Sequence, residues 1–451
     1  MTNILIIASR SDIAGGENYL LSCLKYMDRN RYHPIVWLPG DGVFRTALEK
    51  AGVEYMIEPV NYGWLKPPKP WYEFLSGLPG RVRRIADLIR ERDIRLVHTN
   101  SNMILEGALA ARVAGVPHLY LAHIDFQSNM PLYQRFQLDA ASFAGLMGDL
   151  SDGIIAVSHH VARSLCPPLD PDRIRVVHNG LELDKFDQAL AQRNGSLRRE
   201  LGLPADAAVI TAAGRITEDK GFDILLEAAA IVHDAHPDAH FLIAGGLDSP
   251  DYQRQLTERI VQLGLGTHVH FLGLRKDLPR VLTESDIFLL TSRREGHPYV
   301  LLEAMACECA VVASRCGGVD ETVIEGETGF VVEIGDVTTT ANRLDRLLSN
   351  PELRNVMAHK GLERVKLSFT ALQTADGLFK MYDELLSRPA LQPGSYAIDL
   401  FLQTASEIGC LGEKVTDIEE RLKKAERAAQ LLLDNPLTRL ARRIFGKQRK
   451  P

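Results

Sequence analysis

The chain has 451 residues, 45% hydrophobic and 24% charged, with a formal net charge of −6 at pH 7. That length suits two or three globular domains, and the acidic balance argues against a general nucleic-acid binder. Six scattered cysteines without a CxxC pair argue against a disulfide framework and for a reducing cytoplasm; the start MTNILIIASR lacks the regions of a signal peptide, and no uncharged apolar stretch reaches spanning length.

Along the first half, short apolar runs predict strands at Ile4–Ala8, Ile35–Leu38, Leu96–Thr99, Leu119–Ala122, Ile154–Val157 and Arg175–Val177. Amphipathic stretches between them predict helices at Asn18–Met27, Phe44–Ala51, Val82–Arg92, Ile104–Ala114 and Tyr133–Leu150. The alternation predicts a parallel sheet with helices on both faces. Leu181–Ala205 is polar and reads as a linker or an interdomain helix. The pattern restarts at Val209–Ala213, His240–Ala244, Val269–Leu272, Ile287–Leu290, Val311–Ala313 and Phe330–Val332, a second doubly wound α/β sheet. Two such sheets with facing strand ends form a cleft, because ligands sit outside the carboxyl ends of parallel strands. SRPALQPGSY breaks the pattern, and a charged helical stretch runs from Glu413 to Gln430. The last piece, NPLTRLARRIFGKQRKP, has six basic residues and no acidic one, with Leu437, Leu440, Ala441, Ile444 and Phe445 at helical spacing. It reads either as a helix lying on an anionic membrane surface or as a solvated or partner-docking end.

Chemistry concentrates in EGHPYVLLE, where Glu295 and Glu303 bracket Gly296-His297-Pro298. Pro298 is expected at the first position of a helix, leaving the amides of Tyr299, Val300 and Leu301 unpaired. Such a helix start attracts phosphate, whereas carboxylates on either side suit hydroxyls, so the pattern points to a nucleotide-sugar. In AAGRITEDKGFDILLEA, Gly214 permits close backbone approach and Arg215 and Lys220 place two cations at a strand end, as a diphosphate leaving group requires. The alternative is a loop salt bridge from Arg215 and Lys220 to Glu218 and Asp219. Gly15-Gly16 is a turn after the first strand that can approach a phosphate or an acceptor. His123 ends the strand LYLAH and is either a hydrogen-bonding imidazole in the cleft or a structural histidine. Asp170–Asp172 lies in the proline-rich CPPLDPDR and reads as a turn rather than a metal site.

These motifs occur in a fixed order: Gly15-Gly16, His123, AVS at Ala156–Ser158, HNGLELDKF at His178–Phe186, GRITEDKG at Gly214–Gly221, EGHPYVLLEAMA at Glu295–Ala306 and SRCGGVDETV at Ser314–Val323. Through about Leu386 the chain resembles family 4 of the retaining glycosyltransferases, the group 1 family with the GT-B fold. The resemblance implies two facing Rossmann-like domains. The acceptor domain spans 1–188, with a helix at 368–388 packing back on it. The nucleotide-sugar domain spans 189–367, and 389–451 forms a linker and basic helical tail.

By motif match, Arg215 and Lys220 bind the diphosphate of a UDP- or GDP-sugar. Glu295 contacts the donor sugar and Glu303 the ribose, while the amides after Pro298 hold phosphate. His123 reaches the sugar from the opposite domain, Gly16 lies near the phosphate or acceptor, and Gly273, Leu274 and Arg275 neighbour the base. His297 stands where an aromatic is frequent and is expected to tune the sugar pocket. The resemblance implies no cofactor and no essential metal, with retention by same-face attack on an oxocarbenium-like species. The expected function is sugar transfer to a glycan or lipid-linked acceptor of a surface polysaccharide or lipopolysaccharide, at the inner face of the cytoplasmic membrane. A GT-B nucleotide-sugar epimerase and a catalytically silent sugar-binding scaffold are the alternatives. Glu308 and Ala310 depart from the family's usual glycine and proline.

Overall fold

The computed structural model describes residues 1–58, 71–101, 104–125, 140–388 and 396–434. The first sheet comprises β1 Thr2–Ala8, β2 Tyr32–Leu38, β3 Glu54–Ile57, β4 Ile94–Asn100, β5 His118–Ala122, β6 Gly153–Ala156 and β7 Ile174–Val176. All are parallel, in the order β3-β2-β1-β4-β5-β6-β7. The second comprises β8 Ala208–Ala213, β9 Ala239–Ala244, β10 Val269–Gly273, β11 Ile287–Leu290, β12 Ala310–Ser314 and β13 Phe330–Val332. It is parallel too, in the order β10-β9-β8-β11-β12-β13. Helices cover both faces, so central strands such as Ile4-Leu5-Ile6-Ile7 are apolar throughout and fully buried. Each sheet reverses its strand order once, between β1 and β4 and between β8 and β11. Ligands of doubly wound folds bind at such reversals.

The chain passes between the lobes twice, side by side. Leu181 donates to the Phe369 carbonyl at 2.8 Å and accepts from the Ala371 amide at 2.9 Å. Helix Ala371–Ser387, started by a Thr370–Gln373 capping box, then packs on the first sheet, with the Tyr382 hydroxyl 2.8 Å from His98 Nδ1. A latch closes the lobes from the side. Glu321 of the second lobe accepts from the amides of His159 and His160 at 2.8 and 2.9 Å and meets His178 Nε2 at 2.7 Å. Burial opposes that charge, yet His178 and the two amides outweigh it and hold the carboxyl down at about 2.

Several elements differ from the sequence reading. Strand β3 was not anticipated; its Glu54-Tyr55-Met56-Ile57 is short, partly exposed and at the sheet edge. The helix expected from Val82 begins at Trp71 and runs through Pro79, carried by the buried Leu78, Val82, Ile85 and Ile89. Leu181–Ala205 holds two short helices, Asp184–Ala191 and Ser196–Glu200. The turn read at Asp170–Asp172 is present: Asp170 caps a 3₁₀ turn by accepting from the Asp172 amide at 3.0 Å. The first part of Tyr133–Leu150, most of SRPALQPGSY and all of Asn435–Pro451 lie outside the described residues. No helix among the described residues is long and apolar enough to cross a membrane.

Glu308, at the turn between helix Tyr299–Ala306 and β12, has φ +58. A side chain there costs roughly 1–2 kcal/mol, of which glycine's greater freedom when unfolded takes back about half. Glu308→Gly is therefore expected to stabilise by roughly 0.5–1 kcal/mol, raising Tm by ~1–2 °C in thermal melts; a lower Tm contradicts this.

Candidate active site

The carboxyl ends of β1, β5, β8 and β11 meet across the lobes. There they enclose a cleft of about 560 Å³ lined by Gly15, Gly16, His123, Gly214, Arg215, Lys220 and the run Arg294–Val300. This is within the size range of small-molecule sites.

Its cationic wall begins after β8. Gly214 takes φ +156, and its bare Cα faces the methylene stem of Lys220. Gly221 follows at φ +64, where a Cβ would sit 2.1 Å from the Thr291 carbonyl oxygen. This tight return aims Lys220 inward, to donate to Glu295 at 2.5 Å. Glu295 also accepts from the Ser292 hydroxyl at 2.7 Å. Arg215 lies further out, half-exposed, 2.9 Å from Asp248. The expected alternative partners Glu218 and Asp219 are thus corrected: Asp219 pairs with Arg294 at 3.0 Å, and Arg293 ties the turn by donating to the Glu218 carbonyl at 2.7 Å.

The helix-start reading needs two corrections. Pro298 is the N-cap, one residue before helix Tyr299–Ala306. The Leu301 amide already reaches the Pro298 carbonyl at 3.2 Å, and its side chain is fully buried. Only Tyr299 and Val300 then present amides with no preceding turn to bond.

The opposite wall is held by hydrogen bonds. Asn100, at the end of β4, donates through Nδ2 to the Gly16 carbonyl at 3.0 Å, which leaves Oδ1 to accept from His123 Nε2 at 3.1 Å. Burial pushes the His123 pKa down to about 4, so its ring is neutral and supplies hydrogen bonding rather than charge. Gly296 presses against the His123 backbone, where an added Cβ would lie 1.8 Å from the carbonyl oxygen. The Gly296 carbonyl accepts from Ser158 at 2.9 Å and from the Gly318 amide at 2.8 Å. Asn179 donates to the His297 carbonyl at 2.7 Å.

Three other expectations are modified. His297 lines the cleft, but its ring is buried beside His178 and Phe369 and 3.0 Å from the Thr322 hydroxyl. Burial, with His178 adding to it, lowers its pKa to about 3. Glu303 lines a neighbouring cleft of about 390 Å³ with Asn18, Lys25, Glu182 and Lys185. Burial pushes its carboxyl up, and Lys185 at 3.8 Å opposes this. Tyr299 forms the wall shared by the two clefts. Its hydroxyl is buried and has no partner among the described residues. Gly273, Leu274 and Arg275 do not line the main cleft; Arg275 is bound to Glu200 at 2.6 Å and Asp277 at 2.8 Å.

Asn100, Asn179, Ser292 and Arg294 were not singled out from sequence. Asn100 stands at a strand end beside the order reversal, the same signal that marked His123.

The neutral interface histidines set an acid limit. His123 and His297 take up protons below about 6.5 only when unfolded, because their folded pKa values are about 4 and 3. Stability should therefore fall as pH drops from about 6.5 toward 4, by about 1.4 kcal/mol per pH unit for each. Thermal melts from pH 7.5 to 4.5 check this, and a Tm that stays level down to pH 5 contradicts it.

The family described as Glycosyltransferase Family 4 matches residues 13–185, and that described as Glycosyl transferases group 1 matches residues 194–364. The chain is 31% identical over 303 residues to a D-inositol 3-phosphate glycosyltransferase of Stackebrandtia nassauensis, covering 63% of this chain and 67% of that one. It is 26% identical over 309 residues to the Escherichia coli UDP-Gal:alpha-D-GlcNAc-diphosphoundecaprenol alpha-1,3-galactosyltransferase, covering 66% and 78%. Among solved structures, Anabaena Alr3699/HepE in complex with UDP and glucose shares the fold, with TM-score 0.71 and 23% identity over 85% of this chain and 100% of that one. With both lobes matched in order, the chain belongs to the group 1, family 4 glycosyltransferases.

Proposed function

We propose that this glycosyltransferase moves a sugar, with retained anomeric configuration, from a nucleoside diphosphate sugar to a glycan or lipid-linked acceptor of a cell-surface polysaccharide or lipopolysaccharide. The carrying observation is the convergence of Arg215, Lys220, Glu295 and the Tyr299–Val300 amides on one cleft. A UDP-sugar is the first candidate donor, since the Anabaena relative in fold holds UDP. The diphosphate draws Lys220 away from Glu295 and lies against the amides of Tyr299 and Val300. Glu295, released from its cation, accepts a hydroxyl of the donor sugar. As the sugar–phosphate bond breaks, charge grows on the leaving diphosphate, where Lys220, Arg215 and the helix start stabilise it. The departing phosphate takes the acceptor's proton on the same face, which keeps the configuration. Glu303 receives the ribose if the nucleotide extends past Tyr299 into the second cleft. The E. coli relative's diphosphoundecaprenol substrate and the basic Asn435–Pro451 segment favour a lipid-linked acceptor at an anionic surface.

A panel of UDP-, GDP-, ADP- and TDP-sugars, each with and without chelator, tests this reading. Turnover of one donor class, resistant to chelator and giving a retained anomer by NMR, is expected. An inverted product or no donor turnover overturns it, and chelator-sensitive turnover overturns its reliance on protein cations.

A further inference from the structure

Helix Tyr396–Asp434 runs out along helix Trp71–Glu91 of the first lobe. Leu402, Ala405 and Gly409 are buried against the body, Gly412 and Thr416 are half-buried, and the Ser76 hydroxyl donates to Glu413 at 2.9 Å. Past Thr416 every described side chain of this helix is exposed. On an adjacent face run Ile408, Leu411, Val415, Ile418, Leu422 and Ala425, all exposed. The four from Leu411 to Leu422 are each more than half exposed.

The row alternates steps of three and four residues, the a/d pattern of a coiled coil, with Ile408, Val415 and Leu422 at a and Leu411, Ile418 and Ala425 at d. This assignment fixes the flanks: Lys414 and Arg421 occupy g, and Glu419 and Glu426 occupy e. In a parallel pair each g residue faces the e residue five positions on in the other strand. Lys414 would then meet Glu419 of a second copy, and Arg421 would meet its Glu426. In an antiparallel pair g faces g and e faces e, setting cations against cations and carboxylates against carboxylates. Within one chain Arg421 pairs with Asp417 at 2.8 Å, but both side chains are exposed and free to turn.

We propose that this row is the seam of a parallel two-stranded coiled coil with a second copy of this chain. Two strands fit better than more, because helix Trp71–Glu91 occupies one flank and the β-branched Ile408 and Val415 at a favour dimers. A lone projecting helix is marginal in water, and a partner that buries the seam supplies what local propensity does not.

Light scattering on the full chain after size exclusion tests the proposal. The wild type should have twice the mass of one chain. Lys414→Glu/Arg421→Glu and Glu419→Lys/Glu426→Lys should each run at single-chain mass, with turnover per chain and helical circular dichroism unchanged. An equimolar mixture of the two should recover the doubled mass. A single-chain mass for the wild type, or a doubled mass in both charge variants alone, overturns the proposal. So does a single-chain wild type whose binding to anionic vesicles is lost on Ile418→Lys, which would show that the row faces lipid.

Discussion

Lys220→Met is expected to lower turnover of the nucleotide-sugar by about 10²–10³-fold, or roughly 3–4 kcal/mol of transition-state stabilisation, while the fold persists. Methionine keeps the apolar stem and removes only the ammonium. The backbone does not depend on that ammonium: the Lys220 carbonyl accepts from Thr291 at 3.2 Å, and Arg293 grips the Glu218 carbonyl at 2.7 Å. Glu295 retains the Ser292 hydroxyl at 2.7 Å, so its carboxylate is not left bare. The loss should fall mainly in kcat, because charge on the departing diphosphate is greatest in the transition state. Steady-state kinetics beside a thermal melt separate the two effects. Turnover within twofold of wild type would remove Lys220 from the phosphate cradle.

Gly296→Ala is expected to cost at least about 10²-fold in turnover, the usual scale of a misplacement near 1 Å. Its Cβ would lie 1.8 Å from the His123 carbonyl oxygen, a collision with backbone that no rotamer relieves. Ser158 at 2.9 Å and the Gly318 amide at 2.8 Å pin the Gly296 carbonyl, so the collision is relieved only by parting the lobes. Each sheet has its own core, so both lobes should stay folded. Nucleotide binding to the second lobe should survive while transfer fails, because His123 and Gly16 would no longer close the cleft. Calorimetric titration with UDP alongside activity checks this, and wild-type transfer by the alanine variant contradicts it.

The fold was largely legible because buried parallel strands are written as unbroken apolar runs, such as Ile4–Ala8 and Val311–Ala313. Strand β3 escaped because an edge strand need not be apolar on both faces. Pro79 hid the start of helix Trp71–Glu91, since a proline normally ends a helix and only the buried face on both sides of it shows continuity. In the site, Gly214, Lys220 and Glu295 could be read from one strand–turn–helix pattern each. Side-chain direction could not. His297 sits beside Glu295 in sequence, yet its ring turns into the lobe interface toward Thr322. Glu303 lies one helical turn beyond Tyr299, which places it on the far side of that side chain, in the second cleft. For Gly273–Arg275, expected beside the base, no local signal shows that Arg275 pairs with Glu200, 75 residues away.

On the proposed reading, the nucleotide's diphosphate sits where the second sheet reverses its strand order, facing the matching reversal of the first. A crystal structure of the full chain with UDP tests it most directly. Diphosphate oxygens are expected within hydrogen-bonding distance of Lys220 Nζ and of the Tyr299 and Val300 amides. Density for UDP away from these groups, with the Lys220–Glu295 pair undisturbed, would contradict it.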